Sequence, residues 1–334
     1  MIDNFFEWYQ KRIDELNIDP IFVWNEGTKT FDEFRKNAGI ILYGDARFIF
    51  KRPNSKYFKN HKKEFAALPP ESFKLDNYLC VTSELIAEKK YKAFKIMCGK
   101  HYMVEHNSEF YSISPNLLQG YADYCTLSEI MRDGYDEMPK ESRAFRKIPY
   151  FSLKQILKKK KYFLRVMTED CYEQYIKCLI ASVFEFSDDE HYNNIIFCRN
   201  RGFEKFESVF VFDKESTVFN PMIAKGFSPF QTKIESMKYD TYSGKYIYCP
   251  GESIIDRFHE LGRLIKSGVL EKKYQDFINE LAQFDFCKVA DEIYQETGFK
   301  VNERQIDMYR YGSEFAAETL EKQKQGWDKF SSLF

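Results

Sequence analysis

Residues 187–197 read Ser187-Asp-Asp-Glu-His-Tyr-Asn-Asn-Ile-Ile-Phe197, and residues 208–213 read Ser208-Val-Phe-Val-Phe-Asp213. An acidic stretch ends on an amide and runs into an apolar strand. A second apolar strand then ends on a lone carboxylate. The linker between them, Arg199 to Glu207, contains Gly202 and turns the chain back, so the two runs predict a β-hairpin. A hairpin returns the end of its second strand to the start of its first. Asn194 and Asp213 are thereby expected at the same mouth, where they could share a metal.

That juxtaposition suits phosphoryl transfer. The reaction asks for a carboxylate to orient the attacking hydroxyl, and for an amide oxygen with a second carboxylate to hold Mg²⁺. It also asks for a lysine on the nucleotide phosphates and a helical glutamate to hold that lysine. Mg²⁺ takes oxygen ligands and only one or two carboxylates beside the phosphates. Asp189, Asn194 and Asp213 are of those types, in that order. The Asp-x-x-x-x-Asn spacing is common by itself, and a solvated acidic turn capping a helix would show it too. The order of helix, acidic loop, strand, turn, strand and Asp carries more weight.

Upstream of the loop, Thr168-Glu-Asp is a helix start. Tyr172, Ile176, Leu179, Ile180 and Val183 then form one apolar stripe. Downstream, residues 252–268, 270–284, 285–297 and 302–325 read as helices, with Phe277, Leu281 and Phe284 as core. In the first half, helices are expected at 4–17, 30–36, 80–90 and 127–133, and a strand at 20–24. Gly39–Tyr43 and Arg47–Lys51 predict a hairpin turned at Gly44-Asp45-Ala46. Strands are read at 93–98 and 101–105, joined at Gly99-Lys100, and at Phe110–Ile113. Residues 134–161 lack apolar periodicity and close on Lys158–Lys161, a basic run that reads as a solvated face. Lys51 ends an apolar strand, and Glu84 sits inside the apolar helix Val81–Ala87. An ion pair between them would explain both.

Composition narrows the function classes. The 334 residues are 44% hydrophobic and 30% charged, which suits two packed lobes, expected at 1–118 and 119–334. A net charge of −1 provides no global field toward nucleic acid or an anionic membrane. No apolar run of about 18 residues occurs, which argues against a membrane span. The N-terminus, Met1-Ile-Asp-Asn-Phe-Phe-Glu-Trp8, is acidic and amphipathic and does not read as a signal peptide. Eight scattered cysteines without a Cys-x-x-Cys pair predict reduced thiols and a cytoplasmic protein. The five histidines include no His-x-x-x-His pair, and no Gly-x-Ser-x-Gly nucleophile elbow is present.

The run at 187–197 resembles the Asp-Arg-His-x-x-Asn loop of HipA-like serine/threonine kinases, and Val209–Asp213 resembles that family's strand ending in a metal-binding Asp. Arg47-Phe-Ile-Phe-Lys-Arg-Pro53 resembles its ATP-lysine strand, and Thr82–Ala87 its following helix. The resemblance covers roughly residues 37–300 and is nearer to the small, CtkA-type members. It implies a two-lobed α+β kinase fold, with a β-rich N-lobe and a mainly helical C-lobe. It also implies ATP and Mg²⁺ as cofactors, a protein Ser or Thr hydroxyl as substrate, a regulatory partner protein and a link to toxin–antitoxin systems. By the same resemblance, Asp189 is the catalytic carboxylate, and Asn194 and Asp213 are Mg²⁺ ligands. Lys51 contacts phosphates, Glu84 orients it, Gly39 lies in the phosphate loop, and His191 supports the catalytic loop.

Two departures stand out. Glu190 occupies the position of the loop Arg and adds like charge beside Asp188 and Asp189. No Gly-x-Gly-x-x-Gly run exists, only Asn37-Ala-Gly39. These leave a second reading, a kinase-like pseudoenzyme that binds nucleotide or a partner. A third is an unrelated α+β interaction protein.

Overall fold

The computed structural model describes residues 38–43, 46–51, 53, 68–106, 108–115, 118, 120–127, 130, 153–187, 194–212, 214, 217–238 and 254–324. The expected helices at 4–17 and 30–36 and the strand at 20–24 lie outside these residues, as does most of 127–133.

Strands β1 (Ala38–Tyr43) and β2 (Ala46–Lys51) form the first hairpin. Tyr43 pairs with Ala46, so only Gly44-Asp45 lies between the strands. Helix α1 (Pro70–Ala93) follows, then β3 (Met97–Cys98), β4 (Tyr102–His106) and β5 (Glu109–Pro115). β2 and β4 flank β5, giving an antiparallel sheet in the order β1-β2-β5-β4, with Lys51 opposite Ser112.

The expected strand at 93–98 is corrected. Ala93 closes α1, and Lys95, at φ 57, turns the chain so that only Met97 and Cys98 are extended. Nor do these two residues pair with β4 across Gly99-Lys100. They run parallel to β8 (Ser208–Val211), with Met97 opposite Phe210 and Cys98 opposite Val211. A second sheet results, ordered β3-β8-β7-β6, in which β6 is Asp123–Thr126 and β7 is Ile195–Arg199. The hairpin expected near the start of the second half is thus the centre of a four-stranded sheet.

The stretch expected to lack periodicity ends in two short helices, α2 (Leu153–Lys158) and α3 (Lys160–Val166). Each buries few apolar side chains, Leu153 and Ile156 from the first and Phe163 from the second, too few to stand out as a stripe. Lys160 of the basic run pairs with Glu169. α4 (Glu169–Val183) is capped by Thr168, whose hydroxyl accepts the Cys171 N–H at 3.2 Å, and it carries the expected stripe into the core. Beyond β8 come α5 (Phe219–Ala224) and α6 (Pro229–Lys238). The expected helices follow as α7 (Ile254–Lys266), α8 (Lys272–Ala282), α9 (Phe286–Thr297) and α10 (Glu303–Lys324). Asp285 caps α9 at its start, and Gly298, at φ 75, ends it in the left-handed conformation.

One continuous core runs from α1 through α4 and the second sheet to α7–α10. α1 is therefore packed on both sides: the first sheet meets it through β5, and α5 and α9 lie against it from the helical body. Among the described residues, no helix is long and apolar enough to cross a membrane.

Candidate functional site

Two devices place Lys51 against α1. The first is Asn77, whose side chain is buried between α1 and the first sheet. Its amide donates to the carbonyls of Pro53 (2.8 Å) and Phe110 (2.9 Å), and its oxygen accepts the Phe110 N–H (2.7 Å). The second is charge. Lys51 Nζ lies 2.6 Å from Glu84 Oε1, and Glu84 is 0% exposed. A carboxylate so deeply placed needs a cation or strong donors beside it. Residues 77 and 84 are two helical turns apart, so a single face of α1 docks the sheet and grips its lysine.

His101 adds to this corner. Its backbone N–H donates to Glu88 Oε2 at 2.6 Å, and its ring nitrogens lie 3.9 Å from Glu84 Oε1 and 3.7 Å from Glu88 Oε2. Gly99 makes room for the ring, since a Cβ there would stand 3.1 Å from His101 Cε1.

The β7–β8 hairpin fixes the second corner. Ile195 pairs with Val211, and one step further the Phe212 N–H donates to the Asn194 carbonyl at 2.9 Å. Asn194, 3% exposed, thus sits beside the residue that precedes Asp213 in the chain. A second tie closes the other side. Ser187 bridges to Thr217, and the Val218 N–H donates to the Phe186 carbonyl at 2.9 Å. The stretches that contain Asp189 and Asp213 therefore begin and end at the same two anchor points, 187 with 217 and 194 with 212. Asp189, His191 and Asp213 themselves fall outside the described residues, as do the side-chain surroundings of the strand containing Gly39. Among the described residues, no group of three His, Cys, Asp or Glu converges as a metal site.

The two corners share a frame. Ser83, next to Glu84, accepts a hydrogen bond from Asn220 Nδ2 of α5 at 3.1 Å. Gln305 of α10 donates to Ser83 Oγ and to the Leu79 carbonyl, both at 2.8 Å, and accepts from Thr82 Oγ1 at 2.8 Å. Burial pushes the Tyr309 hydroxyl up from its ordinary pKa, against the lowering effect of its hydrogen bond with Ser83. That hydroxyl stays neutral and serves the network as a polar neighbour.

No family model and no curated protein matches the chain. Solved structures do. The Helicobacter pylori proinflammatory kinase CtkA superposes with a TM-score of 0.55 at 11% identity, over 88% of this chain and 94% of that one. The fold is that of CtkA. The Shewanella oneidensis HipA toxin, solved with HipB and operator DNA, gives a TM-score of 0.47 at 9% identity, over 95% of this chain and 72% of that one. The chain thus has an α+β, kinase-like fold.

Against the CtkA fold, several residues of these corners escaped the sequence reading. Asn77 and Glu88 lie on α1 with Glu84, seven residues before it and four after, a helical spacing that could have flagged them. His101, Lys90, Glu185, Lys214 and Arg257 carry no local signal. Arg257, 1% exposed, donates from Nη1 to the Ser187 carbonyl at 3.2 Å, where the acidic loop begins.

Proposed function

We propose that the chain is an ATP- and Mg²⁺-dependent protein serine/threonine kinase of HipA-like type. The observation that carries the reading is the ion pair between Lys51 and the fully buried Glu84. A lysine held at the end of a strand by a helical glutamate is the arrangement that grips nucleotide phosphates. The donor types fit the cofactor: an ammonium at Lys51, the amide oxygen of Asn194, and a carboxylate at Asp213, next in the chain after the residue hydrogen-bonded to Asn194. In this reading Mg²⁺ is held by Asn194 and Asp213, and when bound it offsets charge on the β- and γ-phosphates.

The remaining roles belong to the chain. Lys51 orients the phosphates, and Glu84 keeps Lys51 from swinging into solvent. Asp189 accepts the proton of the attacking hydroxyl as its oxygen bonds to the γ-phosphorus. The bond from that phosphorus to the β–γ bridging oxygen breaks, and ADP departs. Gly39 and His191 are assigned to the phosphate loop and to support of the catalytic loop. A division of the chain near residue 118 into nucleotide-binding and catalytic lobes belongs to the same proposal, as do a cytoplasmic location, a protein substrate and a regulatory partner.

Glu190 and the lack of a glycine-rich loop favour a second reading, a kinase-like module that binds nucleotide or a partner without turnover. A titration with Mg·ATP, read by the melting temperature, tests the proposal. The wild type is expected to be stabilised and Asp213→Asn to lose the Mg²⁺-dependent part. Equal shifts in both would refute the metal assignment. Stabilisation without phosphate transfer would select the second reading.

A further inference from the structure

Two of the charges buried on α1 are met from different parts of the fold. Lys90 lies 3.6 Å from Glu185 at the end of α4, and Glu185 lies 3.2 Å from Lys214. Glu84 is met by Lys51 of β2 and by His101. Both approach the same oxygen: Oε1 is 2.6 Å from Lys51 Nζ and 3.9 Å from His101 Nε2. The other oxygen, Oε2, is buried and accepts no hydrogen bond among the described residues. A carboxylate offers roughly four lone-pair sites. Here two nitrogens at one oxygen decide which way the carboxylate faces.

His101 belongs to neither sheet. β3 is in the second sheet and β4 in the first, and Gly99, Lys100 and His101 are the whole connection between them. α1 pins this connection through Glu88, one helical turn beyond Glu84. Glu88 Oε2 accepts the His101 N–H at 2.6 Å and lies 3.7 Å from Nδ1. With Nδ1 turned toward Glu88, Nε2 is left to face Glu84. The His101 side chain is 13% exposed, so the ring has little room to swing away. Gly99 sets its near boundary: a Cβ there would stand 3.1 Å from Cε1 and 3.3 Å from Nε2, tighter than ordinary van der Waals contact. Gly99 is not among the glycines with positive φ, so the position calls for small size and not for conformational freedom.

We infer that His101 is a positioning residue for the Lys51–Glu84 pair, acting through Nε2 from the connection between the two sheets. This rests on the kinase reading above. Lys51 orients phosphates only while Glu84 holds it, and Glu84 holds it only while its carboxylate faces β2. Nε2 is the second group at the oxygen that Lys51 uses. Without it the carboxylate keeps one neighbour in place of two, Lys51 is held less closely, and nucleotide binds less tightly. The connection starts from β3, which pairs with β8. A shift of one sheet against the other therefore passes through residues 99–101 and is felt at Glu84.

The test uses the full chain, with the melting temperature titrated against Mg·ATP to give a nucleotide midpoint. Gln places an amide nitrogen where Nε2 stands, and Asn places one where Nδ1 stands, so these two substitutions separate the ring nitrogens. His101→Asn is expected to raise the midpoint about tenfold, within the range for coupled neighbours. His101→Gln should stay close to the wild type. In a Glu84→Gln background, His101→Asn should raise the midpoint no further, because the group it acts through is already altered. Where His101→Asn does not fold, Gly99→Ala decides, since it keeps the ring and presses on its Nε2 edge. It should raise the midpoint roughly twofold to fivefold, and only while Glu84 is present. Equal midpoints for His101→Asn and His101→Gln, or a full further loss in the Glu84→Gln background, would reduce His101 to scaffolding and overturn the inference alone. A wild type with no response to Mg·ATP would overturn the kinase reading and this inference together.

Discussion

Glu84 is a carboxylate shut away from solvent, with the Lys51 ammonium 2.6 Å away. Substitution by Gln keeps the shape and removes the charge that restrains Lys51. Under the kinase reading, Glu84→Gln should lower ATP-dependent phosphorylation roughly a hundredfold through lost phosphate positioning. Lys51→Met should cost about as much. The double variant should be little worse than either, because the two side chains act as one unit. Rates measured on the three variants check this, and additive losses would separate the pair. Lys51 and Glu84 were legible in the sequence because each interrupts an apolar run. Asn77 and Glu88 offered only their helical spacing from Glu84, and His101 offered no signal, because what gives Asn77 and His101 their roles is remote in the chain: Phe110 for Asn77, Glu84 and Glu88 for His101.

Among the elements, α4 was the most readable. Thr168 begins it, acidic residues fill its first turn, and one stripe enters the core. Its cap satisfies a backbone donor that the helix itself cannot. Thr168→Ala should destabilise the protein by about 1 kcal/mol. Chemical denaturation would record this as a lower midpoint at unchanged slope. α1 was read at 80–90 and in fact begins at Pro70. Its buried side chains include Asp76, Asn77, Thr82, Ser83 and Glu84, so polar residues stand where an apolar stripe would have marked the helix. Proline at its first turn was the available start signal. β3 was read too long, at 93–98, and with β4 as its neighbour, for a different reason. Its two residues stand just beyond the turn that ends α1, and its partner strand lies more than a hundred residues away.

At the scale of the molecule, α1 and the helical body are one structure. The Gln305, Thr82, Ser83 and Asn220 network ties α1 to α10 and α5, and β3 carries the chain from α1 onto β8. Gly312 of α10 faces Phe186, which holds a left-handed φ of 54 just before Ser187. A Cβ at residue 312 would stand 2.6 Å from Phe186 Cε2. Phe186 is fully buried and ringed by Phe219, Phe258 and Tyr309, so it has nowhere to retreat. Gly312→Ala should therefore cost about 1–3 kcal/mol by overpacking, measured as a lower denaturation midpoint. From its sequence alone the chain determined both β-hairpins, the capped helix α4, the run of helices at its C-terminal end and the order of its charged residues. Those are set by side-chain periodicity, turn chemistry and caps, which act over a few residues. Tertiary structure alone decided that β3 joins β8, that Asn77 holds the first sheet, and that Glu185 stands between Lys90 and Lys214. Each of these depends on burying a polar group that only a partner far along the chain can satisfy.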